Sequence, residues 1–192
     1  AVPVLVGASC YQQDRPTANY LLRWRYSTQR ESLNYEQRIS KKQAGFKTNN
    51  FIIERSLFEQ LGFESRLTGY GHEDTLYGVA LQQAQIKVAH IDNPVWNLNL
   101  DDNASFLTKT EQALKNLLWI QQHAPSAEML EMNKLLATYL EIKTSRLKRW
   151  LLLLLEFFTR PMKWLLSRGS APLFIFDLYR LARLSALEKQ SK

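Results

Sequence analysis

Short apolar runs alternate with segments of helical periodicity in the first half of the chain, whereas the second half is helical throughout. Three apolar runs predict strands, at 2–7, 46–53 and 86–91, the last broken at Pro94. Apolar positions at helical spacing predict helices at 17–30, at 55–61, from 73 onward, at 104–122 and from 125 to about 143. This order of elements indicates an α/β fold followed by an α-helical tail.

Local signals predict where several of these elements begin or end. Gly62 is the natural C-terminal cap of the helix at 55–61. The polar run Asp101-Asp102-Asn103 is a helix-entry signal for the helix at 104–122. The polar stretch 27–43 predicts a loop, and the apolar run Phe51-Ile52-Ile53 is expected in the core.

The C-terminal segment 146–192 has a different pattern, because a broadly apolar helix carries one narrow polar stripe. The stripe consists of residues that share a helical face: Arg146, Arg149, Glu156, Arg160 and Lys163. The apolar run is far shorter than the ~20 residues needed to cross a bilayer, so the pattern is typical of a helix lying in a membrane interface. Pro161 is expected to kink this helix or to begin a second one. The alternative is that the tail helices pack on a part of the protein outside these residues or in a homodimer.

Charge is unevenly distributed along the chain, which argues against a nucleic-acid surface on the body. The formal net charge is +7, but residues 143–192 contribute +8 and residues 1–142 contribute −1. A chain of 192 residues with 45% hydrophobic residues can bury a sizeable core, and its single cysteine excludes an internal disulfide. We expect a body at 1–122, a helical extension at 123–145 and a basic tail at 146–192.

The stretch 67–78 has the clearest chemical signal, because two adjacent carboxylates, Glu73 and Asp74, follow a glycine-punctuated loop. Gly69 and Gly71 suit positive φ angles or the close approach of a ligand. Acidic residues favour the first turn of any helix, so capping is one interpretation. The other is a carboxylate that takes a proton from an attacking hydroxyl. Consecutive helical residues point about 100° apart, so only one of the two can be that base.

The segments around this loop resemble, in their order, the acceptor half of bacterial family-2-type glycosyltransferases with the GT-A fold. The galactosyltransferase C-terminal domain is a more distant likeness. The resemblance covers about residues 1–120 and rests on four runs of sequence: Phe46-Lys47-Thr48-Asn49-Asn50-Phe51-Ile52-Ile53, Arg55-Ser56-Leu57-Phe58-Glu59-Gln60-Leu61-Gly62-Phe63, Gly69-Tyr70-Gly71-His72-Glu73-Asp74 and His90-Ile91-Asp92-Asn93-Pro94-Val95. It implies that the body is the C-terminal part of a GT-A domain, with a Rossmann-like mixed sheet.

This resemblance implies an inverting transfer of a sugar from a nucleotide-diphosphate sugar to a glycan or lipid-linked acceptor. Asp74 would be the general base and Glu73 would hold the acceptor or the donor sugar. The matching segments also contain the implied substrate-binding residues: Thr48, Asn50, Tyr70, Gly71 and His72. Arg23 and Arg30 are candidates for phosphate contacts, because loops in that position commonly cover the donor in this family.

The resemblance further implies Mg²⁺ or Mn²⁺, with its main ligands in a nucleotide-binding half that precedes these residues. No Asp-x-Asp motif occurs in the chain, and Asn97 stands where the family often has a metal-binding histidine. An amide oxygen suits Mg²⁺ better than a transition ion. Because the chain opens in a predicted strand, we expect it to be a piece of a longer protein. We expect that protein to be cytoplasmic and peripheral on the inner face of the cytoplasmic membrane. A non-catalytic glycan-binding or membrane-associated assembly module remains the alternative function.

Overall fold

The computed structural model describes residues 2–40, 45–145 and 148–191, and within these residues the fold is mixed α/β, as the pattern predicts. The strands are β1 (Val4–Tyr11), β2 (Phe51–Ile53) and β3 (Val88–Asn97). The helices are α1 (Leu21–Tyr26), α2 (Tyr35–Ser40), α3 (Arg55–Leu61), α4 (Glu73–Gln83), α5 (Asn103–His123), α6 (Ala127–Met132), α7 (Lys134–Thr144), α8 (Arg149–Phe157), α9 (Thr159–Ser167) and α10 (Leu173–Gln190). Arg146 of the predicted polar stripe and residues 41–43 of the predicted loop lie outside the described residues.

The three strands form one small sheet in the order β2-β1-β3. β2 runs antiparallel to β1, whereas β3 runs parallel to it. The carboxyl ends of β1 and β3 therefore meet at one edge, where Tyr11 pairs with Asn97. Both strands are longer than the apolar runs that predict them, because β1 continues past Gly7 and β3 continues through Pro94.

A bulge explains how β3 continues through a proline. At Gly7 the register shifts, so that three residues of β3 face one residue of β1 just before Pro94. The Asn50 amide fills this gap and donates to the carbonyl oxygens of Ala8 at 3.1 Å and Asn93 at 2.6 Å. A side chain at Gly7 would place its Cβ 2.6 Å from the backbone oxygen of Asn93 and 2.1 Å from the Asn50 amide nitrogen, so only glycine fits there. The predicted strand end at Pro94 is therefore wrong.

Arg38 satisfies further carbonyl groups beside the same bulge. Its guanidinium donates to the carbonyl oxygens of Val6 at 3.0 Å and Ile91 at 2.8 Å, and the residue is 6% exposed. Arg38 belongs to α2, and a π-helical turn at Ser27–Glu31 continues α1. The predicted loop at 27–43 is thus wrong over these residues, since Arg38 binds backbone groups of the sheet and Glu31 binds the Tyr11 hydroxyl of β1.

Two other boundaries differ from the sequence pattern. The predicted strand at 46–53 is reduced to Phe51–Ile53, because the chain turns at 48–50. Ile52 is 63% exposed, since β2 is an edge strand whose alternate side chains leave the core, so its predicted burial is wrong. The predicted helix at 125–143 is interrupted at Asn133, whose side chain accepts a hydrogen bond from the Leu136 N–H at 3.0 Å and begins α7.

Helix α5 connects the N-terminal and C-terminal parts of the fold. Asp102 caps it as predicted, and its carboxylate accepts two backbone N–H groups at 2.9 Å. The next residue, Asn103, is 1% exposed and accepts from the Leu22 N–H at 2.9 Å. The same amide donates to the carbonyl oxygens of Ala18 at 2.8 Å and Ser167 at 3.0 Å. One buried side chain therefore joins α5 to the start of α1 and the end of α9.

The tail helices share their core with the body. Buried residues from five helices form one apolar cluster, which includes Leu22, Phe106, Leu155, Leu166 and Phe176. The helix is interrupted at Phe158, which separates α8 from α9. Pro161 lies in the first turn of α9, where a backbone N–H has no partner within the helix. The break thus begins a second helix, which is one of the two outcomes expected for Pro161. Among the described helices, none is both long and apolar enough to cross a bilayer.

Replacing Asn103 with alanine is expected to lower the free energy of unfolding by about 3 kcal/mol, because it leaves a buried N–H and two carbonyl groups without their partner. Urea denaturation followed by circular dichroism measures the change. The matched control is Asn99→Ala at an exposed position, which should change stability by less than about 0.5 kcal/mol. Equal effects of the two substitutions would contradict this role of Asn103.

Candidate functional site

The glycine-punctuated loop leads into α4 with the backbone geometry that the sequence predicts. Gly69 and Gly71 have φ angles of 76° and 102°, and α4 begins at Glu73. A Cβ on Gly71 would lie 2.5 Å from the Cβ of Ala113 on α5, so the loop backbone packs directly on that helix. Glycine at 71 is therefore required both by the φ angle and by the close contact.

Asn116 of α5 holds this loop in place through its backbone carbonyl groups. Its side-chain amide donates to the Gly71 carbonyl oxygen at 2.9 Å, and the residue is 6% exposed. The Tyr70 carbonyl oxygen lies 3.4 Å from the same nitrogen. The position of the loop, and hence of the first turn of α4, is thus set by α5.

Asp74 is held by a lysine from another segment. The Lys47 Nζ donates to the Asp74 carboxylate at 2.9 Å, and the two side chains are 59% and 19% exposed. Desolvation lowers the pKa of Lys47, but the charge and hydrogen bond of Asp74 outweigh it and the pKa is raised. Lys47 therefore remains an ammonium group beside a carboxylate that still reaches solvent. Glu73 is partly exposed on the adjacent position of the first turn.

His72 adopts a left-handed conformation, with φ at 73°, and its carbonyl oxygen accepts the Leu76 N–H at 2.9 Å. Its ring Nδ1 lies 3.5 Å from the side-chain amide of Asn133. Burial lowers the pKa of His72 to about 4; Asp74 opposes this shift, and Lys47 and Arg180 add to it. At neutral pH the ring is therefore uncharged.

A second group of charges lies at the carboxyl end of β1. The Glu31 carboxylate accepts from the Tyr11 hydroxyl at 2.9 Å and pairs with the Arg23 guanidinium at 2.9 Å. Burial, followed by the charge of Glu31, raises the pKa of Tyr11 to about 12. The Arg23 guanidinium also lies 5.0 Å from the centre of the Phe106 ring, within cation–π distance.

Tyr70 and Lys109 connect this group with the loop. The Lys109 Nζ lies 5.3 Å from the centre of the Tyr70 ring and 2.7 Å from the Asp101 carboxylate. Burial raises the pKa of Tyr70, and the charges of Arg23 and Glu31 also act on it. Glu31 also raises the pKa of Lys47, so the charges at the end of β1 and the Lys47–Asp74 pair are close enough to interact. We call these residues the polar site: Tyr11, Arg23, Glu31, Lys47, Tyr70, Asp74, Asp101 and Lys109.

The remaining residues predicted from the sequence lie in different surroundings. Thr48 is exposed in the turn before β2, and the Asn50 amide is engaged by carbonyl groups at the bulge. Arg30 forms a two-pronged ion pair with Asp177 of α10 at 2.7 and 3.1 Å. Asn97 lies opposite Tyr11 at the end of β3. The structure therefore brings Arg23, Tyr70, Asp74 and Asn97 into one region and places Arg30 in contact with the tail.

Several members of the polar site are not among the residues that sequence reasoning selects. Lys47 directly precedes the Thr48-Asn49-Asn50 run, and this adjacency is the signal that could have found it. Glu31 lies in a segment predicted to be a loop, and Lys109 lies in a helix whose pattern indicates packing alone. These contacts join residues that are far apart in the sequence. Lys47 and Asp74 are separated by 27 residues, and Tyr11 and Glu31 are separated by 20.

Two cavities in the described part of the chain can be compared with this site, and neither is lined by Glu73 or Asp74. One, of about 420 Å³, lies between the end of α3, helix α4 and residues 124–126. The other, of about 280 Å³, lies between the end of α5 and helices α6 and α7. The residues of the polar site line neither of these two cavities.

No cluster of three or more His, Cys, Asp or Glu side chains suited to a metal ion occurs in the described residues. The acidic residues of the polar site are paired with Lys47, Arg23 and Lys109. Asn97 alone cannot hold a divalent ion. These residues do not by themselves fit a Mg²⁺ or Mn²⁺ site, and the implied metal stays a prediction that needs ligands from elsewhere.

Comparison of the chain with models of protein families, with curated proteins and with solved structures found no match.

The depressed pKa of His72 is expected to make the folded protein less stable in acid. The folded form prefers the neutral ring, so this contribution is fully present above pH 6.5 and is lost as the pH falls towards about 4. In NMR titrations, one of the three histidines should titrate near pH 4, and His72→Gln should remove that resonance. His123→Gln, at an exposed position, is the control. A resonance of His72 that titrates near 6.5 would contradict the burial of this ring.

Proposed function

We propose that this chain is the acceptor-side part of an inverting glycosyltransferase and that Asp74 is its general base. The observation that carries the proposal is the Asp74 carboxylate itself, which is placed by a positive-φ loop, bound by Lys47 at 2.9 Å and still 19% exposed. A carboxylate that only caps a helix needs no lysine from a separate segment. The GT-A fold, the cytoplasmic location and the use of Mg²⁺ or Mn²⁺ belong to this proposal.

The position of the polar site in the sheet supports a binding role. Ligands of α/β proteins bind outside the carboxyl ends of parallel strands. Tyr11 and Asn97 end the parallel strands β1 and β3, and Arg23 and Tyr70 lie beside them. Tyr70 is 43% exposed, and an exposed aromatic ring suits the apolar face of a sugar.

In the proposed reaction the acceptor hydroxyl gives its proton to the Asp74 carboxylate as its oxygen attacks the anomeric carbon. The bond from that carbon to the diphosphate oxygen breaks, and the nucleoside diphosphate leaves with the electron pair. Lys47 keeps the carboxylate oriented by its hydrogen bond, while Glu73 lies next to it to hold a sugar hydroxyl. A positioned base of this kind contributes on the order of 10²–10⁴ in rate.

A binding module without catalysis is the second candidate. It is favoured by the Lys47 ion pair, which neutralises Asp74. In this case the exposed ring of Tyr70 would stack on a glycan and the carboxylate would be structural. Both candidates use the same surface, so they are separated by turnover and not by binding.

The decisive substitution is Asp74→Asn in the full-length protein, assayed as release of nucleoside diphosphate from a panel of nucleotide sugars with candidate acceptors. We expect at least a 100-fold loss of kcat with an unchanged circular dichroism spectrum, because the amide cannot accept the proton. Asp92→Asn, an exposed carboxylate on β3, is the control and should retain activity. Full activity of Asp74→Asn would rule out Asp74 as the base. Glycan binding without any turnover by the wild-type protein would favour the binding module.

A further inference from the structure

The tail helices expose several large apolar side chains. On α8, Trp150, Leu153, Leu154 and Phe157 are 58%, 58%, 45% and 79% exposed. We call these four residues of α8 the tail face. On the neighbouring helices, Trp164 of α9 is 52% exposed and Phe174 of α10 is 60% exposed. Single exposed apolar residues are ordinary, whereas several on one short helix mark an interaction surface.

The opposite side of α8 is packed, so the exposure of the tail face follows from the fold. Leu152 and Leu155 are 5% and 9% exposed and belong to the apolar clusters that α8 shares with α10 and α5. Residues 150, 153, 154 and 157 follow the spacing of a single helical stripe. The helix therefore has two apolar sides, of which the protein buries only one.

Positive charge borders the tail face. Arg149, Arg160 and Arg168 are exposed, and none of them has a carboxylate partner among the described residues. The Arg168 guanidinium lies 3.9 Å from the centre of the Trp164 ring, so it stays beside the apolar surface. The acidic residue of α8, Glu156, is instead bound to Lys189 at 2.7 Å. The rim of the tail face is thus basic.

We propose that the tail face lies in the interface of an anionic lipid bilayer, with α8 and α9 parallel to the membrane plane. Tryptophan and phenylalanine are residue types that favour the boundary between headgroups and acyl chains. Basic residues next to such a surface are attracted to anionic headgroups. Since none of the described helices can span a bilayer, the fitting mode is shallow insertion of one helical side.

A second copy of the chain fits this surface less well. A twofold contact places the same patch of each copy against the other, so the unpaired arginines of both rims would approach one another. An anionic bilayer supplies the opposite charge over the same area. This inference does not rest on the proposed transferase activity, because none of its residues belongs to the polar site.

Vesicle flotation of the full-length protein tests this proposal with two lipid mixtures, phosphatidylcholine alone and phosphatidylcholine with phosphatidylglycerol. The wild-type protein should float with the anionic vesicles and at least 10-fold less with the neutral ones. The double variant Trp150→Ser/Phe157→Ser should reduce flotation at least 10-fold. Trp96→Ser/Ile52→Ser is the matched control, because Trp96 and Ile52 are 60% and 63% exposed on the sheet; it should float like the wild type.

Arg149→Gln/Arg160→Gln tests the charge and should float at least 10-fold less with anionic vesicles, whereas Arg55→Gln, at a 91% exposed side chain on α3, should not. Circular dichroism and sedimentation accompany every variant. Unchanged flotation of the Trp150/Phe157 variant overturns the proposal. A wild-type protein that fails to float with the anionic vesicles also overturns it. In that case, a dimer that this variant abolishes would assign the tail face to a second copy, and cross-linking of Phe157→Cys to another part of the same protein would assign it to that part.

Discussion

The fold depends on two asparagine side chains of α5 that bind backbone groups in three other segments. Asn103 joins α5 to the start of α1 and to the end of α9, while Asn116 binds the Gly71 carbonyl of the loop before α4. Both residues are almost fully buried, so each hydrogen bond would be costly to lose. Because Gly71 also touches Ala113, the backbone of the loop can approach α5 only at this position. The start of α4 is therefore held against α5, while Tyr77 and Leu81 of the same helix share an apolar cluster with Val4 and Val6 of β1.

The polar site is organised by opposite charges, which both order it and limit its chemistry. Three carboxylates are matched by Arg23, Lys47 and Lys109. These pairs keep the side chains in place, and the site has no spare cluster of acids to bind a cation within the described residues. A reaction that uses one of these three carboxylates must therefore use a group that a lysine or an arginine already binds. A donor diphosphate would have to find additional positive charge beyond these pairs.

The tail is linked to the site region through the same helix. Glu111 of α5 binds Tyr179 and Arg183 of α10 at 2.6 and 2.7 Å and Lys163 of α9 at 3.3 Å. Two residues earlier on α5, Lys109 contacts Tyr70 in the polar site. The orientation of the tail face relative to Asp74 is thus set by one continuous helix. A protein that rests on a bilayer through this face would present the polar site at a constant distance from it, which suits a lipid-linked acceptor.

The sequence by itself determined the features that depend on neighbouring residues: the positive φ angles of Gly69 and Gly71, the start of α4 at Glu73, and the caps at Gly62 and Asp102. These follow from the backbone freedom of glycine and from side chains that bind N–H groups two or three residues away. Only the tertiary structure decided that Ile52 is exposed, that Arg38 is buried and that Lys47 binds Asp74. Each of these depends on which distant segment lies alongside, and strand register and helix packing bring together residues that no local pattern relates.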